Sequence, residues 1–209
     1  MFPLESVLLP GVLLPLHVFE LRYRALVRAC LQPGVEPEFG VVLIERGSEV
    51  GGGDVRTMIG SIARIIDARQ LPDGRWTLVV AGTERIRVRR WLHDDPFPRA
   101  EIEFWPDAPA TKGPNDLAEI ELNLQRIMAL RAELGDPTRG APINLPSDVT
   151  AASYAAAALA PIGPADRQRL LGAAGPDERL ELLGCMLEDE LVFLRRRLEL
   201  FSDGGPDSR

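Results

Sequence analysis

The spacing of apolar residues changes near the middle of the chain, and this change constrains the fold more than any other feature. In the first half, short apolar or alternating runs are separated by turn signals such as Pro10-Gly11 and Pro72-Asp73-Gly74, a pattern typical of β-strands. After a proline-rich linker at 106–115, apolar residues recur every three or four positions, which predicts helices. We therefore expect an α+β chain, with strands in residues 1–106 and helices in residues 115–201.

The strand signals of the first part indicate a small barrel or sandwich. Residues 20–31 carry apolar side chains at helical spacing and predict one early helix, which Pro33-Gly34 ends. Gly60 and Gly82 fall inside strand runs, where a glycine marks a bulge or a bend as the sheet closes. The predicted strands are 4–8, 12–18, 39–44, 58–68, 76–81, 84–91 and 100–105.

Helix signals follow one another in the second part of the chain. Asp116 is the predicted N-cap of a helix that runs to about residue 134. Ser147 or Asp148 caps a short alanine-rich helix, and the sequence leaves both choices open. Pro164 suits the first turn of a third helix, because proline lacks the N–H that a first turn leaves unpaired.

The most regular helical pattern lies at 176–201. Its apolar residues recur at spacings of three and four and form a seam, as in a helical hairpin or a coiled coil. We expect this seam to pack on the chain's own helices in preference to forming a dimer zipper. Residues 202–209 are predicted to be a disordered tail. The seam consists of Leu180, Leu183, Leu187, Leu191, Leu194, Leu198 and Phe201.

The charge of the chain argues against general nucleic-acid binding. The net charge is −7 and the isoelectric point is near 5.0, whereas a nucleic-acid binder usually carries a basic field. Residues 1–106 hold 13 basic and 14 acidic side chains, and residues 107–209 hold 11 and 17. The two halves therefore differ in charge as well as in apolar spacing, which supports a division into two parts.

Lys112 is the only lysine among 24 basic residues, and its position argues against two kinds of chemistry. A phosphate-binding loop needs Gly-Lys-Ser/Thr, but Gly113 and Pro114 follow Lys112. A serine–lysine dyad would have to use the same lysine, in a proline-rich linker that offers no burial to activate it. The sequence therefore predicts neither ATP hydrolysis nor proteolysis.

No metal or cofactor site is predicted. His17 and His93 are the only histidines, and neither is spaced with Cys or another His as a metal site requires. We expect His17 to form a hydrogen bond at a strand-to-helix junction and His93 to be a solvated turn residue. The run Glu188-Asp189-Glu190 splays apart on a helix and predicts a solvated face. Cys30 and Cys185 are predicted to be free, buried thiols.

The N-terminal sequence carries no secretory signal. Pro3, Pro10 and Pro15 interrupt its apolar run, and no Lys or Arg precedes that run. The longest other apolar stretch, 155–162, is far shorter than the roughly 20 residues that span a bilayer. We therefore expect a cytoplasmic protein that has no membrane partner.

Several segments, in order along the chain, resemble the N-terminal substrate-binding domain of Lon proteases. The opening PLESVLLPGVLLPLHVFELRYRALV has that family's order of strand, Pro-Gly turn, LPL strand and helix. Residues 147–191 resemble the family's helical portion, in which a helix rich in small residues leads to a D-x-Q-x-L-L turn and an E-R-L helix. The resemblance covers about residues 2–200. Between these segments the matches are FGVVLI at 39–44, IGSIARI at 59–65, LPDGRWTLVVAGTERIRV at 71–88 and RAEIEF at 99–104.

The resemblance implies a PUA-like β-barrel that holds one early helix and is followed by a C-terminal α-helical bundle. It also implies a protein-binding module, because this part of the Lon family is implicated in recognising substrate polypeptides, chiefly unfolded ones. Full-length Lon enzymes add an ATPase domain and a serine–lysine protease domain, whose motifs this sequence lacks. The expected role is non-catalytic recognition of unfolded or partly folded polypeptides, with an adaptor for a protease or chaperone as one form of it.

A binder of unfolded polypeptides should show exposed apolar surface beside a few charges. Most of the residues predicted to contact the polypeptide lie at the junction of the second strand and the first helix, and one lies on a later strand. They are His17, Phe19, Glu20, Arg22, Tyr23 and Arg85. The sequence leaves open which of the aromatic candidates are exposed. These are Phe19, Tyr23, Trp76, Trp91 and Trp105.

A basic run on the strand at 84–91 supports RNA binding as a second hypothesis, since PUA-like folds often bind RNA. Its arginines are Arg85, Arg87, Arg89 and Arg90. Three acidic residues lie close by, and no aromatic stacking platform is interleaved with the arginines, which argues against RNA. The acidic residues are Glu84, Asp94 and Asp95. Charge that protects an edge strand from aggregation explains the arginines equally well.

Overall fold

The computed structural model describes residues 1–47, 49, 53–136 and 143–203. They form two compact units. The first contains Met1–Asp107 with Gly163–Gly172, and the second contains the described residues of Ala108–Ile162 and Ala173–Arg209. The division expected from the sequence placed all of 115–201 in one helical part, so the structure differs in assigning Gly163–Gly172 to the unit that holds the strands.

The strands lie in the first part of the chain together with α1, and the other four helices of the described residues follow them, as in an α+β chain. The elements are β1 (Phe2–Leu4), β2 (Leu13–Val18), α1 (Leu21–Cys30), β3 (Glu38–Arg46), β4 (Val55–Gln70), β5 (Trp76–Trp91), β6 (Ala100–Phe104), α2 (Pro114–Glu133), α3 (Val149–Leu159), α4 (Pro164–Leu171) and α5 (Pro176–Asp203).

The strands form one sheet in the order β1-β3-β4-β5-β2, and β6 also pairs with β5. β1 runs parallel to β3, and the other pairs are antiparallel. β1 and β2 end this path, and the described residues form no ladder between them. The sheet is a curled half-barrel, which refines the PUA-like β-barrel that the resemblance implied.

The two strands predicted between residues 76 and 91 are one continuous strand, β5, with Gly82 inside it. The Gly82 N–H donates to the Val12 carbonyl at 2.9 Å, and the Gly82 carbonyl accepts from the Gly11 N–H at 2.8 Å. A Cβ on Gly82 would lie only 2.2 Å from the Leu9 carbonyl oxygen. The glycine therefore permits a close approach of two backbone segments, and it does not end the strand.

The first strand is displaced from its predicted position. The sequence indicated 4–8, but β1 is Phe2–Leu4, and Leu8 is buried outside any strand. Phe2 pairs in register with Val41 of β3, and its ring stacks on Tyr23 of α1 at a centroid distance of 4.2 Å. This stack joins the start of the chain to the early helix within the core of the first unit.

Helix α4 packs on the strands for identifiable reasons. Its Gln168 Nε2 donates to the Ile59 carbonyl of β4 at 3.1 Å, and the Leu171 carbonyl accepts from Arg85 Nη1 of β5 at 2.9 Å. Leu170 and Leu171 are both buried. These contacts span large separations along the chain, which explains why the local pattern around 164–172 did not indicate them.

In the second unit, α2, α3 and α5 pack against one another. The described part of the leucine seam of α5 is buried by this packing inside a single chain. Leu198 is half-buried. The fully buried members of the seam are Leu180, Leu183, Leu187, Leu191 and Leu194.

Two predicted helix starts have different outcomes. Asp116 is not an N-cap: Gly113 takes that place, and the Asp116 carboxylate accepts from the Gly113 N–H at 3.0 Å. The helix begins earlier than predicted because Pro114 can occupy its first turn. Asp148, one of the two candidates for α3, is confirmed as an N-cap, since its Oδ1 accepts from the Ala151 N–H at 2.8 Å.

The two cysteines are free, but only one is buried. Burial raises the pKa of the Cys30 thiol, which donates to the Glu38 carbonyl at 3.2 Å. Cys185 lies on an exposed face of α5, so the prediction that it is buried is wrong. The predicted tail also begins too early, because α5 continues to Asp203; residues 204–209 lie outside the described residues.

Membrane spans and metal clusters were sought throughout the described part of the chain. None of its helices is long and apolar enough to cross a bilayer. Within the same residues, no group of three or more His, Cys, Asp and Glu is placed to hold a metal ion.

Candidate binding cleft

A cleft of about 300 Å³ lies along β2 in the first unit. Its walls come from β1, from β2 and from the first turn of α1, and Glu49 contributes from the segment after β3. Because β1 and β2 are the two ends of the sheet path, the cleft occupies the opening of the half-barrel. Its lining consists of Phe2, Leu4, Ser6, residues 14–20, Tyr23 and Glu49.

The side chains of β2 alternate between the core and the surface. Leu16 and Val18 are buried, whereas Leu13 and His17 are exposed, as expected for a strand with one solvated face. Phe19 follows the strand directly and is 53 % exposed. The strand therefore buries apolar side chains in the interior, and Phe19 directly after it adds an exposed aromatic ring to the cleft.

The floor of the cleft is aromatic. Tyr23 is buried on α1 beneath Phe2, and the Cζ atom of Arg22 lies 4.4 Å from the centroid of its ring. Burial raises the pKa of Tyr23 to about 12, so its phenol is harder to ionise than that of an exposed tyrosine. The floor therefore offers an apolar, uncharged surface to a bound molecule.

The charged residues at the rim of the cleft are hydrogen-bonded to one another and to the backbone. Glu20 Oε2 accepts from Arg22 Nε at 3.1 Å, and Arg22 Nη2 donates to the Glu49 carbonyl at 3.2 Å. The Glu49 carboxylate in turn accepts from the Glu5 N–H at 2.6 Å. These bonds connect the start of α1 to the segments after β1 and β3, and they leave more carboxylates than cations beside the cleft.

The structure brings together most of the residues predicted to contact a polypeptide. His17, Phe19, Glu20 and Tyr23 line the cleft, and Arg22 lies beside it through its bonds to Glu20 and Glu49. The His17 side chain forms no hydrogen bond with the described residues, so the expected junction bond is absent. Among the five aromatic candidates, Phe19 alone is exposed.

Arg85 is not part of the cleft. It is only 3 % exposed, and its guanidinium binds Asp107 at 2.8 Å and the Leu171 carbonyl at 2.9 Å. It also lies 4.2 Å from the centroid of the Trp105 ring. Because these contacts bury the side chain, the prediction that Arg85 contacts the polypeptide is wrong. Arg85 instead helps to hold α4 on the sheet through its bond to the Leu171 carbonyl.

The cleft also contains residues that sequence reasoning missed. Phe2 and Leu4 form one wall, and Glu49 closes one end. A local pattern could not indicate Phe2 and Leu4, because a parallel pairing of β1 with β3 places them there. The apolar opening of the sequence was a signal that they are buried, but it did not say against which element.

The basic run on β5 is neutralised by its neighbours. Arg89 and Arg90 form ion pairs with Glu103 and Glu101 of β6, and the guanidinium of Arg87 lies 3.8 Å from the centroid of the Trp105 ring. β5 is also an interior strand, since it pairs with β4, β2 and β6, so edge protection does not explain its arginines. Cross-strand pairing with β6 accounts for two of them.

Together, the half-barrel, the early helix and the apolar cleft along β2 define a Lon N-terminal domain fold. Comparison with known families agrees. Residues 1–189 match the family model described as the ATP-dependent protease La (LON) substrate-binding domain. The chain belongs to this family.

Two solved structures are similar to this chain. A Lon N-terminal domain protein from Xanthomonas campestris is 32 % identical, with a TM-score of 0.63 over 87 % of this chain and 94 % of that one. The N-terminal domain of a Mycobacterium avium complex Lon protease is 20 % identical, with a TM-score of 0.59 over 90 % of this chain and 97 % of that one. The second similarity supports the fold alone.

Curated relatives match over part of their length. Lon protease 2 of Myxococcus xanthus is 29 % identical over 151 residues, which are 70 % of this chain and 17 % of that protein. A LON peptidase N-terminal domain and RING finger protein of Schizosaccharomyces pombe is 29 % identical over 118 residues, which are 51 % of this chain and 24 % of that protein. The matched part of the chain thus spans less than a quarter of the length of either relative.

Proposed function

We propose that this chain recognises unfolded or partly folded polypeptides in the cleft along β2 and catalyses no reaction itself. The observation that carries the proposal is the combination of an aromatic floor, an exposed Phe19 and a few rim charges in one concave site. Such a surface suits apolar segments that a folded protein keeps buried. Membership of the Lon substrate-binding family supports the same class of ligand.

The proposed setting is the cytoplasm, with the chain presenting bound polypeptides to a protease or chaperone as an adaptor. The family match supports a link to proteolysis. The proposal involves no cofactor, no membrane and no nucleic acid. RNA binding gains no support from β5, whose arginines are buried, stacked on Trp105 or paired with glutamates.

The purified chain is expected neither to hydrolyse ATP nor to cleave casein. Lys112 lies outside any nucleotide or dyad motif, and its ammonium group forms an ion pair with the Glu181 carboxylate at 3.3 Å. Phosphate release and gel analysis of casein provide the measurements. Turnover that is present in the unchanged chain and lost in a Lys112→Ala variant would contradict the expectation.

The variant Phe19→Ser is expected to bind a permanently unfolded protein, such as reduced and alkylated α-lactalbumin, about five- to thirtyfold more weakly. Loss of a buried aromatic contact costs about 1–2 kcal/mol. Ile66→Ser is a matched control, because Ile66 is 59 % exposed on β4 and does not line the cleft. Its affinity should equal that of the unchanged chain in isothermal titration calorimetry.

The salt dependence of the affinity distinguishes polypeptide binding from RNA binding. Apolar burial responds little to ionic strength, whereas RNA affinity falls steeply because counterions are released. Equal affinities for Phe19→Ser and Ile66→Ser would contradict the assignment of the cleft. Tight, salt-sensitive binding of single-stranded RNA that is lost in an Arg87→Ser, Arg89→Ser double variant would overturn the proposed function.

A further inference from the structure

Strand β2 has a main-chain edge that the described residues do not pair. Its other edge pairs with β5 along the whole of Leu13–Val18. The Val12 carbonyl accepts from the Gly82 N–H, which shows that the main-chain groups of even-numbered residues turn toward β5. Successive residues of a strand alternate in this respect. The residues whose N–H and C=O groups point away from β5 are therefore Leu13, Pro15 and His17.

Pro15 supports this assignment independently. Proline cannot donate to a ladder, so within a sheet it is confined to positions where its nitrogen faces away from the partner strand. Leu13 and His17 still offer an N–H and a C=O on the free edge, and Pro15 offers its C=O. A single proline limits uncontrolled pairing through the edge, but it leaves the donors on both sides of it in place.

Strand β6 of the same sheet, unlike β2, carries charged residues. Its Glu101 and Glu103 are charged and form ion pairs with Arg90 and Arg89. Charged side chains along an edge strand oppose the addition of another strand. The sequence of β2, LLPLHV, contains no acidic residue, lysine or arginine. The free edge of β2 is therefore open to pairing in a way that the edge of β6 is not.

The charges around the cleft favour a particular kind of guest. Glu20 and Glu49 line the cleft, and Glu5 lies beside it. Arg22 is the one cation among the described residues of this rim, and it is already bonded to Glu20 and to the Glu49 carbonyl. The excess of carboxylates favours a segment with basic residues and disfavours an acidic one.

Resting on the proposed function, we propose that the cleft binds its polypeptide as an added β-strand on the free edge of β2. The guest is an extended segment with apolar residues at alternate positions and at least one Lys or Arg. Its main chain pairs with Leu13, Pro15 and His17, and the apolar side chains lie on the same face as Leu16 and Val18. Main-chain pairing gives affinity for many sequences, while the alternate side chains and the charge select among them.

This mode of binding discriminates by folding state. A folded client has its main-chain donors and acceptors already paired, and therefore cannot supply a free strand. An unfolded segment exposes both its main chain and its apolar side chains, so it satisfies the edge of β2 and the floor of the cleft together. One cleft can then accept unrelated polypeptides without accepting their native states.

The test uses the full chain and a fluorescein-labelled peptide in which Val and Thr alternate and Lys occupies both ends. A second peptide has the same side chains but carries N-methyl groups that block N–H donors along both of its edges. A third peptide replaces the terminal Lys residues with Glu. In fluorescence anisotropy we expect the N-methylated peptide to bind about tenfold more weakly or worse, since several hydrogen bonds are lost. We expect the Glu peptide to bind more weakly than the Lys peptide.

Two variants of His17 locate the pairing on β2. His17→Pro removes an N–H from the free edge, and it leaves the ladder with β5 intact because that N–H points away from β5. We expect about three- to tenfold weaker binding of the Lys peptide, as for the loss of one hydrogen bond. His17→Ala also removes the imidazole but keeps the N–H, so its affinity is the reference against which the loss in His17→Pro is measured. Leu13→Pro is a second edge variant should His17→Pro unfold, which circular dichroism will show.

The outcomes separate this inference from the proposed function. If the Lys peptide and its N-methylated form bind equally while Phe19→Ser weakens the binding of both, strand addition is overturned and polypeptide recognition stands. Binding that is lost on N-methylation but unchanged by both His17→Pro and Leu13→Pro also overturns it, because another edge is then in use. If none of the peptides binds and the unfolded protein does not bind either, both proposals fail.

Discussion

Replacing Leu187 with Asp is expected to unfold the second unit well below the melting temperature of the unchanged chain. Leu187 is fully buried on α5, and Leu183 and Leu191 lie one turn before and after it on the same face. An unpaired carboxylate there costs on the order of 5 kcal/mol, a large part of the roughly 5–15 kcal/mol that stabilise a typical domain. Calorimetry should show an early transition for the helices, with a later one for the strands.

Val192→Asp is the matched control for Leu187→Asp. Val192 lies on the same helix but is 47 % exposed, so its substitution should change stability by less than about 0.5 kcal/mol. Sedimentation should find both variants in the oligomeric state of the unchanged chain, because the seam is buried within one chain. A Leu187→Asp variant with an unchanged melting temperature would contradict the burial of Leu187 in the second unit. A Leu187→Asp variant that stays folded but has fewer subunits than the unchanged chain would instead support a dimer zipper.

Substitution of Arg179 by Ala is expected to destabilise the second unit by about 3–5 kcal/mol. Arg179 is a fully buried side chain of α5. Its guanidinium donates to Ser153 Oγ at 2.7 Å and to Tyr154 Oη at 2.9 Å on α3, and it lies 3.7 Å from the centroid of the Tyr154 ring. The Ala variant removes these contacts together and leaves a cavity. Urea denaturation followed by far-ultraviolet circular dichroism measures the loss.

Two further variants show whether hydrogen bonding or volume dominates at Arg179. Tyr154→Phe removes one acceptor and should cost about 1 kcal/mol. Arg179→Met restores most of the volume but leaves Ser153 and Tyr154 without their donor, so it should remain less stable than the unchanged chain. Adding Ser153→Ala and Tyr154→Phe to Arg179→Met should recover much of that loss, because replacing a whole buried polar group by apolar residues can be nearly neutral. An Arg179→Ala variant within about 1 kcal/mol of the unchanged chain would contradict the account.

Local patterns predicted those elements whose signals lie within the element itself. The alternation around Val88 placed the second half of β5, and Gly74 placed the turn before that strand. The spacing of Leu183, Leu187 and Leu191 placed α5 together with its buried face. The junction of β2 and α1 was predicted to bind polypeptide from residues that the structure brings into one cleft. That assignment to binding stays a prediction, which the Phe19 and His17 variants address.

Boundaries and special positions were predicted less well, because a nearby residue outside the pattern decides them. Asp116 has the chemistry of an N-cap, but Pro114 extends α2 by a turn and moves Asp116 to the third helical position. Gly82 was predicted to mark a bulge or a bend, and the β4–β5 register does shift beside it, between Ser61 and Ala63. The close approach of the Leu9 carbonyl, which the local pattern did not indicate, is a further reason for glycine at this position.

The sequence by itself determined the α+β class, the periodicity of the elements and the family, because these depend on short-range spacing and on ordered matches along the chain. Only the tertiary structure decided that Arg85 is held under α4 by a contact to Leu171, 86 positions away, and that Arg179 is buried against α3. It also decided that the sheet stays open between β1 and β2. The physical reason is common to all three: a side chain's partner, and a strand's free edge, depend on how distant segments meet, and local spacing carries no information about that meeting.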